Sequence, residues 1–460
     1  MGAASPLVRN IGASGFSQIA NLATQLTLVP ILAWHWGLET YGVWLILFSL
    51  PYVLTAADLG LAVASGNDMT AAVALGRREE AMHTFQTMQA ALLAICLAIF
   101  ALIAWLAGGP LNHLLDFAQG PSGGHAVATL MMLVSYGLLA QLISAVHSGM
   151  RATGNFAKST NFVTLLYLGE SGAAAAVAIF GGTILHAAAV YAVGHLIGAV
   201  GLYFVLRRQA PWLRTFPCRP SWAELRRLAP AALAMLCLPL SYALSIHGPT
   251  LVLGAFAGAA VVPIFTTVRI ATRAFVQVPM IVAYSAMPIF TVATAQGDKA
   301  RRAELVSLAL VTSLCVLVPA AIGLIAFGQE LIALWTGGVI EPPRALITTL
   351  AVGMVLLGTW WPLSVLVMAI NEHARYTYMF LALSAAAVGL AAVLAKPLGA
   401  LGAAYAALAL DVLMLVWILI QTRRLGLIDW ATLVAAPRTV LAIARRHLEA
   451  RGFRWKRADQ

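Results

Sequence analysis

Leu305-Val306-Ser307-Leu308-Ala309-Leu310-Val311-Thr312-Ser313-Leu314-Cys315-Val316-Leu317-Val318-Pro319-Ala320-Ala321-Ile322-Gly323-Leu324-Ile325-Ala326-Phe327 runs for 23 residues without a charged side chain. A helix crossing the hydrocarbon core of a bilayer needs roughly 20 mostly apolar residues. A lone strand there would leave its backbone polar groups unpaired, so the segment is read as a membrane-spanning helix. Eleven more segments of this kind lie near 10–34, 41–64, 85–107, 125–148, 158–180, 185–206, 229–254, 262–290, 345–370, 376–395 and 398–421. The 460-residue chain is 61% apolar and 10% charged, with mean hydropathy +0.88. Soluble domains carry roughly 25% charged residues. That deficit excludes an ordinary cytosolic enzyme, a disordered chain and an ordinary DNA-binding domain. The expected fold is an all-α polytopic membrane protein of about 12 transmembrane helices. The connections Ser65–Arg78, Gly108–Gly124, Arg207–Arg227, Gln296–Arg302 and Gly328–Arg344 are too short for extramembrane domains.

The net charge of +11 has a topological reading. With the N-terminus placed in the cytoplasm, 24 of the 28 basic residues fall in segments on that side. Arg344 and Lys396 fall on the other side, and Arg269 and Arg273 fall inside a span. The positive-inside rule asks for this asymmetry and places both termini in the cytoplasm. No short apolar core with a small-residue cleavage site opens the chain, so the first segment is expected to be retained. Cys96, Cys218, Cys237 and Cys315 are scattered without C-x-x-C spacing, which indicates neither a disulfide framework nor a metal site.

The halves resemble each other. Gly37-Leu38-Glu39-Thr40-Tyr41-Gly42 precedes the second span and Gly258-Ala259-Ala260-Val261-Val262-Pro263 the eighth, an offset of 221. Gly76-Arg77-Arg78-Glu79-Glu80-Ala81 and Gly297-Asp298-Lys299-Ala300-Arg301-Arg302 follow those spans at the same offset. An offset of six spans keeps both halves in one orientation, a parallel repeat. The expected organisation is a six-helix bundle over 1–206, a cytoplasmic linker over 207–228, a second six-helix bundle over 229–422 and a basic amphipathic tail over 423–460. The tail is read as lying on the anionic inner leaflet.

Charges inside a span are costly and face a cavity or a partner. Thr266, Arg269, Arg273 and Gln277 follow helical spacing and share one face of the eighth span. Arginine stays charged and its planar fork matches two phosphate oxygens. The stripe is therefore read as a cationic cavity wall for an anionic head group, in preference to internal pairing with Glu170 or Asp411. In the first span Gln18, Asn21 and Gln25, with Asn10, Ser14 and Ser17, form a second polar stripe. Two readings stand open for it: lining of the same cavity, or hydrogen bonding between helices. Asp58 either binds a coupling cation or pairs locally. Glu170 and Asp411 either couple proton or sodium entry to transport or neutralise the arginines. His195 and His247 are read as structural, hydrogen-bonded residues. Trp34, Trp36, Trp335, Trp360 and Trp361 lie near span ends and are read as interfacial anchors. Walker A, G-x-S-x-G and H-E-x-x-H patterns are absent from the sequence.

Leu28-Val29-Pro30-Ile31-Leu32-Ala33-Trp34-His35-Trp36-Gly37-Leu38-Glu39-Thr40-Tyr41-Gly42-Val43-Trp44 resembles the first hairpin of the Wzx-type polysaccharide and O-antigen flippases, the polysaccharide-transport branch of the multidrug/oligosaccharidyl-lipid/polysaccharide (MOP) superfamily. Ala57-Asp58-Leu59-Gly60-Leu61, Gly76-Arg77-Arg78-Glu79, Arg151-Ala152-Thr153-Gly154-Asn155 and Val261-Val262-Pro263-Ile264-Phe265 with Arg269-Ile270 are similar to further family positions, in the family order. The resemblance implies a MATE-like fold of two six-helix bundles around a central cavity, working by alternating access. It implies a flippase that moves undecaprenyl-diphosphate-linked sugar repeat units across the bacterial inner membrane for O-antigen, capsule or exopolysaccharide synthesis. Arg269 and Arg273 would meet the diphosphate or acidic sugars. No cofactor is implied beyond coupling to H+ or Na+. Expected partners are the lipid-linked glycan, membrane lipids, a polysaccharide polymerase and glycosyltransferases, with no nucleic acid. A lipid II flippase of this superfamily would carry two further spans. The alternative is a multidrug/cation antiporter of the same fold, which would favour acidic cavity residues. A membrane-embedded polymerase or ligase ranks below both, because the outer loops lack clustered catalytic bases.

Overall fold

The computed structural model describes residues 6–54, 60–107, 109, 126–214, 220–370 and 373–427. Asp58, Cys218 and the tail beyond Leu427 lie outside the described residues. Twelve helices are described: α1 (Pro6–Leu54), α2 (Leu61–Ala74), α3 (Arg78–Ala107), α4 (Ala126–Ala152), α5 (Phe156–Ile179), α6 (Ile184–Gln209), α7 (Trp222–Phe256), α8 (Val261–Ala295), α9 (Lys299–Thr336), α10 (Arg344–Ala369), α11 (His373–Leu398) and α12 (Ala400–Arg424). Eleven are long and apolar enough to cross a membrane. No strand occurs among the described residues. This is a multi-pass membrane protein.

Helix α1 accounts for two of the expected spans. Its 49 residues would extend ~74 Å as one rod, more than twice the ~30 Å hydrocarbon thickness. The helix breaks at Gly37, whose φ of 73° and ψ of 168° suit a residue without a Cβ. Gly258, its counterpart in the repeat, opens α8 with φ 92°. Gly76 and Gly297 form a second such pair, at φ 75° and 70°. The offset of 221 therefore relates backbone conformation as well as sequence. It also maps the first residue of α3 onto the first of α9, and the last of α2 onto the last of α8.

The second expected span, 41–64, differs from the structure. Gly60, with φ 73°, breaks the expected span, and a separate helix, α2, begins at Leu61; residues 55–59 lie outside the described residues. Residues 65–74, expected as loop, are helical. Ser65, Met69 and Ala72 of α2 are buried, with Met69 and Ala72 in a core that includes Phe85, Met88 and Leu92 of α3 and Ile143, Val146 and Met150 of α4. Tertiary packing of one apolar face supplies the helical stability that the mixed composition conceals.

By contact the chain divides into two compact units. The first comprises Met1–Thr267, Ile332–Glu341 and Val388–Ala403, and the second comprises Val268–Leu331, Pro342–Ala387 and Ala404–Gln460. In the first, α4 packs along α6, α1 along α5, and α2 against α3, α4 and α7. One polar side chain there serves a carbonyl that a proline leaves open. Pro30 has no N–H for the Leu26 carbonyl one turn earlier, and Trp335 Nε1 donates to that carbonyl at 2.8 Å. Gln141 Nε2 of α4 also donates to the carbonyl of Leu54 in α1, at 3.0 Å. Of the tryptophans read as anchors, Trp34 is exposed and Trp36 donates to the Gly182 carbonyl at 2.9 Å. Trp360 departs from that reading. It is 1% exposed and serves an acidic side chain within the second unit.

At one end of the first unit the Gly42 backbone meets the turn at Ala259. A Cβ on Gly42 would overlap the Ala259 carbonyl, whereas Gly15 has open space around it. Backbone cannot rotate away as a side chain can. Gly42→Ala is expected to lower thermal stability in detergent by about 1–3 kcal/mol, the usual range for overpacking. Gly15→Ala, inside the same helix, should leave stability unchanged or raise it by up to about 1 kcal/mol, and equal stability of the two variants would contradict the close approach.

Candidate functional site

In the first unit, α5 and α6 bring Glu170 and His195 together. Glu170 Oε1 and His195 Nδ1 are 2.6 Å apart, and both residues are buried. An ionised carboxylate only accepts, so Nδ1 carries the donated proton in that state. Gly194 makes room: a Cβ there would press on the Glu170 carboxyl group. Aromatic rings surround the pair. Tyr136 meets the His195 ring edge-on at 4.2 Å, and Tyr52 hydrogen-bonds to Tyr136. Ser171 bonds to both Tyr191 and Tyr167. Phe48 stacks on Trp44 at 4.9 Å, and His247 stacks on Tyr52 at 4.5 Å with planes 9° apart. His195, read from sequence as a lone structural histidine, is half of an acid–imidazole pair. The two residues lie 25 positions apart on different helices, so no helical spacing connects them.

In the second unit, Arg269 and Arg273 stand one turn apart on α8, both half-buried, as is Gln277. The two guanidinium groups lie within electrostatic range of each other, and Arg273 within range of Asp411 on α12. Asp411 Oδ1 also accepts from Trp360 Nε1 of α10 at 3.0 Å. The fourth residue of the stripe, Thr266, belongs to the first unit. It is 3% exposed, and its hydroxyl donates to the Val262 carbonyl of its own helix at 2.8 Å. It contributes to helix packing rather than to an accessible face.

The α1 stripe is divided. Gln18 and Gln25 are exposed, while Asn21 is half-buried and donates to the Ser17 carbonyl at 2.8 Å, within its own helix. No group of three or more metal-ligating side chains occurs among the described residues.

A third cluster was not anticipated from sequence. It lies at the basic end of the first unit, where α2, α3 and the start of α7 meet. Arg227 donates through Nη1 and Nη2 to both Asp68 oxygens at 2.9 and 2.7 Å. Its Nε and Nη2 donate to Glu224 at 3.0 and 2.6 Å. Thr84 donates to Glu224 at 2.8 Å and to Asp68 at 3.1 Å. Glu224 also sits in the first turn of α7, whose cap Ser221 accepts from the Glu224 N–H at 3.3 Å. The Glu224–Arg227 spacing was visible in the sequence, but Asp68 lies 159 positions away. One guanidinium thus latches α2 to the start of α7, both within the first unit.

Among solved structures, an inward-facing MATE-family multidrug transporter of the MOP superfamily superposes with TM-score 0.67 at 13% identity, covering 91% of this chain and 99% of that one. The MATE multidrug transporter DinF-BH, in a ligand complex, gives 0.63 at 16% identity, covering 91% and 95%. The lipid II flippase MurJ, in an inward closed conformation, gives 0.63 at 14% identity, covering 96% and 93%. No protein-family model and no curated protein matches the sequence. The chain therefore has the fold of the MOP-superfamily transporters, and identities at this level establish the fold alone.

The latch lies outside the candidate spans and titrates. Hydrogen bonds from Arg227 hold the Asp68 and Glu224 carboxyls below their usual range. A carboxyl depressed in the folded state stabilises above its unfolded value, about pH 4, and loses that contribution as pH falls through its lowered folded value. Arg227 is 48% exposed, so each pair contributes at most about 1 kcal/mol. Below about pH 4 the wild type should lose this increment of thermal stability, and Arg227→Ala should show a shallower acid dependence over the same range. Parallel acid profiles would show that the latch adds nothing.

Proposed function

We propose that this protein is a flippase for lipid-linked oligosaccharides, with undecaprenyl-diphosphate-linked repeat units as its cargo. The observation that carries the reading is the pair Arg269 and Arg273 on α8. In the spans of the second half the two arginines outnumber the one mid-span carboxylate, Asp411, which lies within electrostatic range of Arg273. A span face that carries two guanidinium groups at this depth suits an anionic ligand. A diphosphate supplies that anion, and its oxygens match the guanidinium fork. Gln277, on the same face, adds a neutral donor for sugar hydroxyls. Gln18 and Gln25, exposed on α1, are suited to the same cargo.

On this reading the protein acts in a bacterial inner membrane with both termini in the cytoplasm. Its two six-helix halves alternate access, and the Arg227 latch closes the basic side. Glycosyltransferases supply the cargo and a polymerase consumes it.

A second reading has its own support. Glu170 lies among Tyr52, Tyr136, Tyr167 and Tyr191, and a carboxylate within aromatic rings suits an organic cation. That chemistry fits a multidrug/cation antiporter.

The two readings separate by mutation. Arg269→Ala with Arg273→Ala should reduce translocation of lipid-linked glycan in reconstituted vesicles at least tenfold. Losing two charge-assisted contacts of about 1.5–3 kcal/mol each requires no less. Membrane insertion should stay intact. In cells lacking the protein, lipid extraction should recover undecaprenyl-linked units on the cytoplasmic side. Normal translocation in the double variant, together with loss of drug resistance in Glu170→Gln, would overturn the flippase reading in favour of the antiporter.

A further inference from the structure

Arg375, in the first turn of α11, and Trp417, Ile420, Gln421, Arg424 and Leu425, at the end of α12, enclose a small concavity of about 50 Å³. Residues 417, 420, 421 and 424 follow i, i+3, i+4, i+7 spacing and so form one face of α12. All six belong to the second unit.

The depth of the concavity follows from helix length. The 25 residues of α12 extend ~37 Å, longer than the ~30 Å hydrocarbon core. Its last turn therefore reaches the head-group layer. Most basic groups of this unit, apart from Arg269, Arg273 and Arg344, gather at the same end. Thr291, near the end of α8, bonds to the Ala369 carbonyl at the end of α10 at 3.0 Å, so these two helices finish together. Lys299, Arg301 and Arg302 follow α8, Arg375 follows α10, and Arg423 lies beside Arg424. Toward the middle of the membrane, the same helix presents Val412, Leu413, Val416 and Ile420, all 42–52% exposed. Tyr378, one turn into α11, is 58% exposed.

We infer that this concavity binds the phosphate of an anionic glycerophospholipid. Two arginines from two helices converge on a space for one anionic group, and the guanidinium fork accepts phosphate oxygens in pairs. Trp417 supplies an amphipathic ring at the polar boundary, where such rings settle. The exposed aliphatic track below Ile420 accepts an acyl chain. A free phosphate would use the arginines and leave the track unused, so the track selects the lipid. Basic pockets between membrane helices recognise anionic head groups by this chemistry. The inference does not depend on the cargo of the transporter.

The test uses the delipidated full-length protein in detergent, with native mass spectrometry after adding phosphatidylglycerol or phosphatidylcholine. The wild type should retain one phosphatidylglycerol at least tenfold more strongly than phosphatidylcholine. Arg375→Gln with Arg424→Gln should abolish the preference. Arg424→Lys, which keeps the charge but loses the fork, should weaken it, and Arg423→Gln should leave it unchanged. Thermal unfolding of each variant establishes that it is folded. If the double variant does not fold, the comparison of Arg424→Lys with Arg423→Gln decides. Undiminished preference in the folded double variant, or equal loss in Arg424→Lys and Arg423→Gln, would overturn the inference. Displacement of the lipid by millimolar inorganic phosphate would overturn the lipid assignment in favour of a soluble phosphate anion.

Discussion

A carbonyl oxygen left unpaired in hydrocarbon costs several kcal/mol, and this chain is organised around that cost. The requirement makes every span a helix and then acts wherever a helix is interrupted. Pro30 strands the Leu26 carbonyl, and Trp335 answers it. Gln141 of α4 donates to the Leu54 carbonyl of α1. Ser148 of α4 donates to the Ala62 carbonyl in the first turn of α2 at 2.9 Å, a second bond to a carbonyl already within its helix. Each of these bonds comes from a distant helix, so serving the backbone also fixes which helices are neighbours.

The same economy explains how the sparse charges are used. At the basic end of the first unit, two carboxylates and one guanidinium satisfy each other in a geometry that water can reach. Deeper in that unit, Glu170 is held by His195 and enclosed by phenol rings. In the second unit, Asp411 is held by the Trp360 indole, a neutral donor, and leaves the two α8 arginines as the larger charge. At depth the first unit therefore holds an acid–imidazole pair, and the second holds two guanidinium groups with one carboxyl. At the offset of 221, Arg269 and Arg273 correspond to Phe48 and Tyr52. Where one half carries cations the other carries aromatic rings, and that substitution underlies both the flippase and the antiporter readings.

Much of the architecture was legible in one sequence because composition in a membrane is read on the scale of whole helices. Twenty apolar residues announce a span without help from the rest of the fold, and paired glycines at fixed offset announce a repeat. The restart of the helix after Gly60 was not legible, because apolar content continues across it and only burial of Met69 and Ala72 shows what the restart achieves. The arginine stripe was legible because helical spacing is local. The partners of Glu170 and Arg227, and the Trp360 donor to Asp411, were not, because each partnership joins helices remote in sequence. Thr266 shows the opposite failure. It has the right spacing, but its hydroxyl turns back onto its own helix.

The hydrogen bond from Trp335 to Leu26 spans 309 positions, and this bears on how the protein is made. Synthesis proceeds at about 5–20 residues per second. The first helix therefore enters the membrane some 15–60 seconds before its proline-stranded carbonyl can meet its indole. Through that interval the nascent chain must shelter a polar group that only a late segment can serve. The insertion machinery, or a neighbouring helix held provisionally, has to stand in. A ribosome that stops before residue 335 releases a chain whose first helix still lacks its final partner.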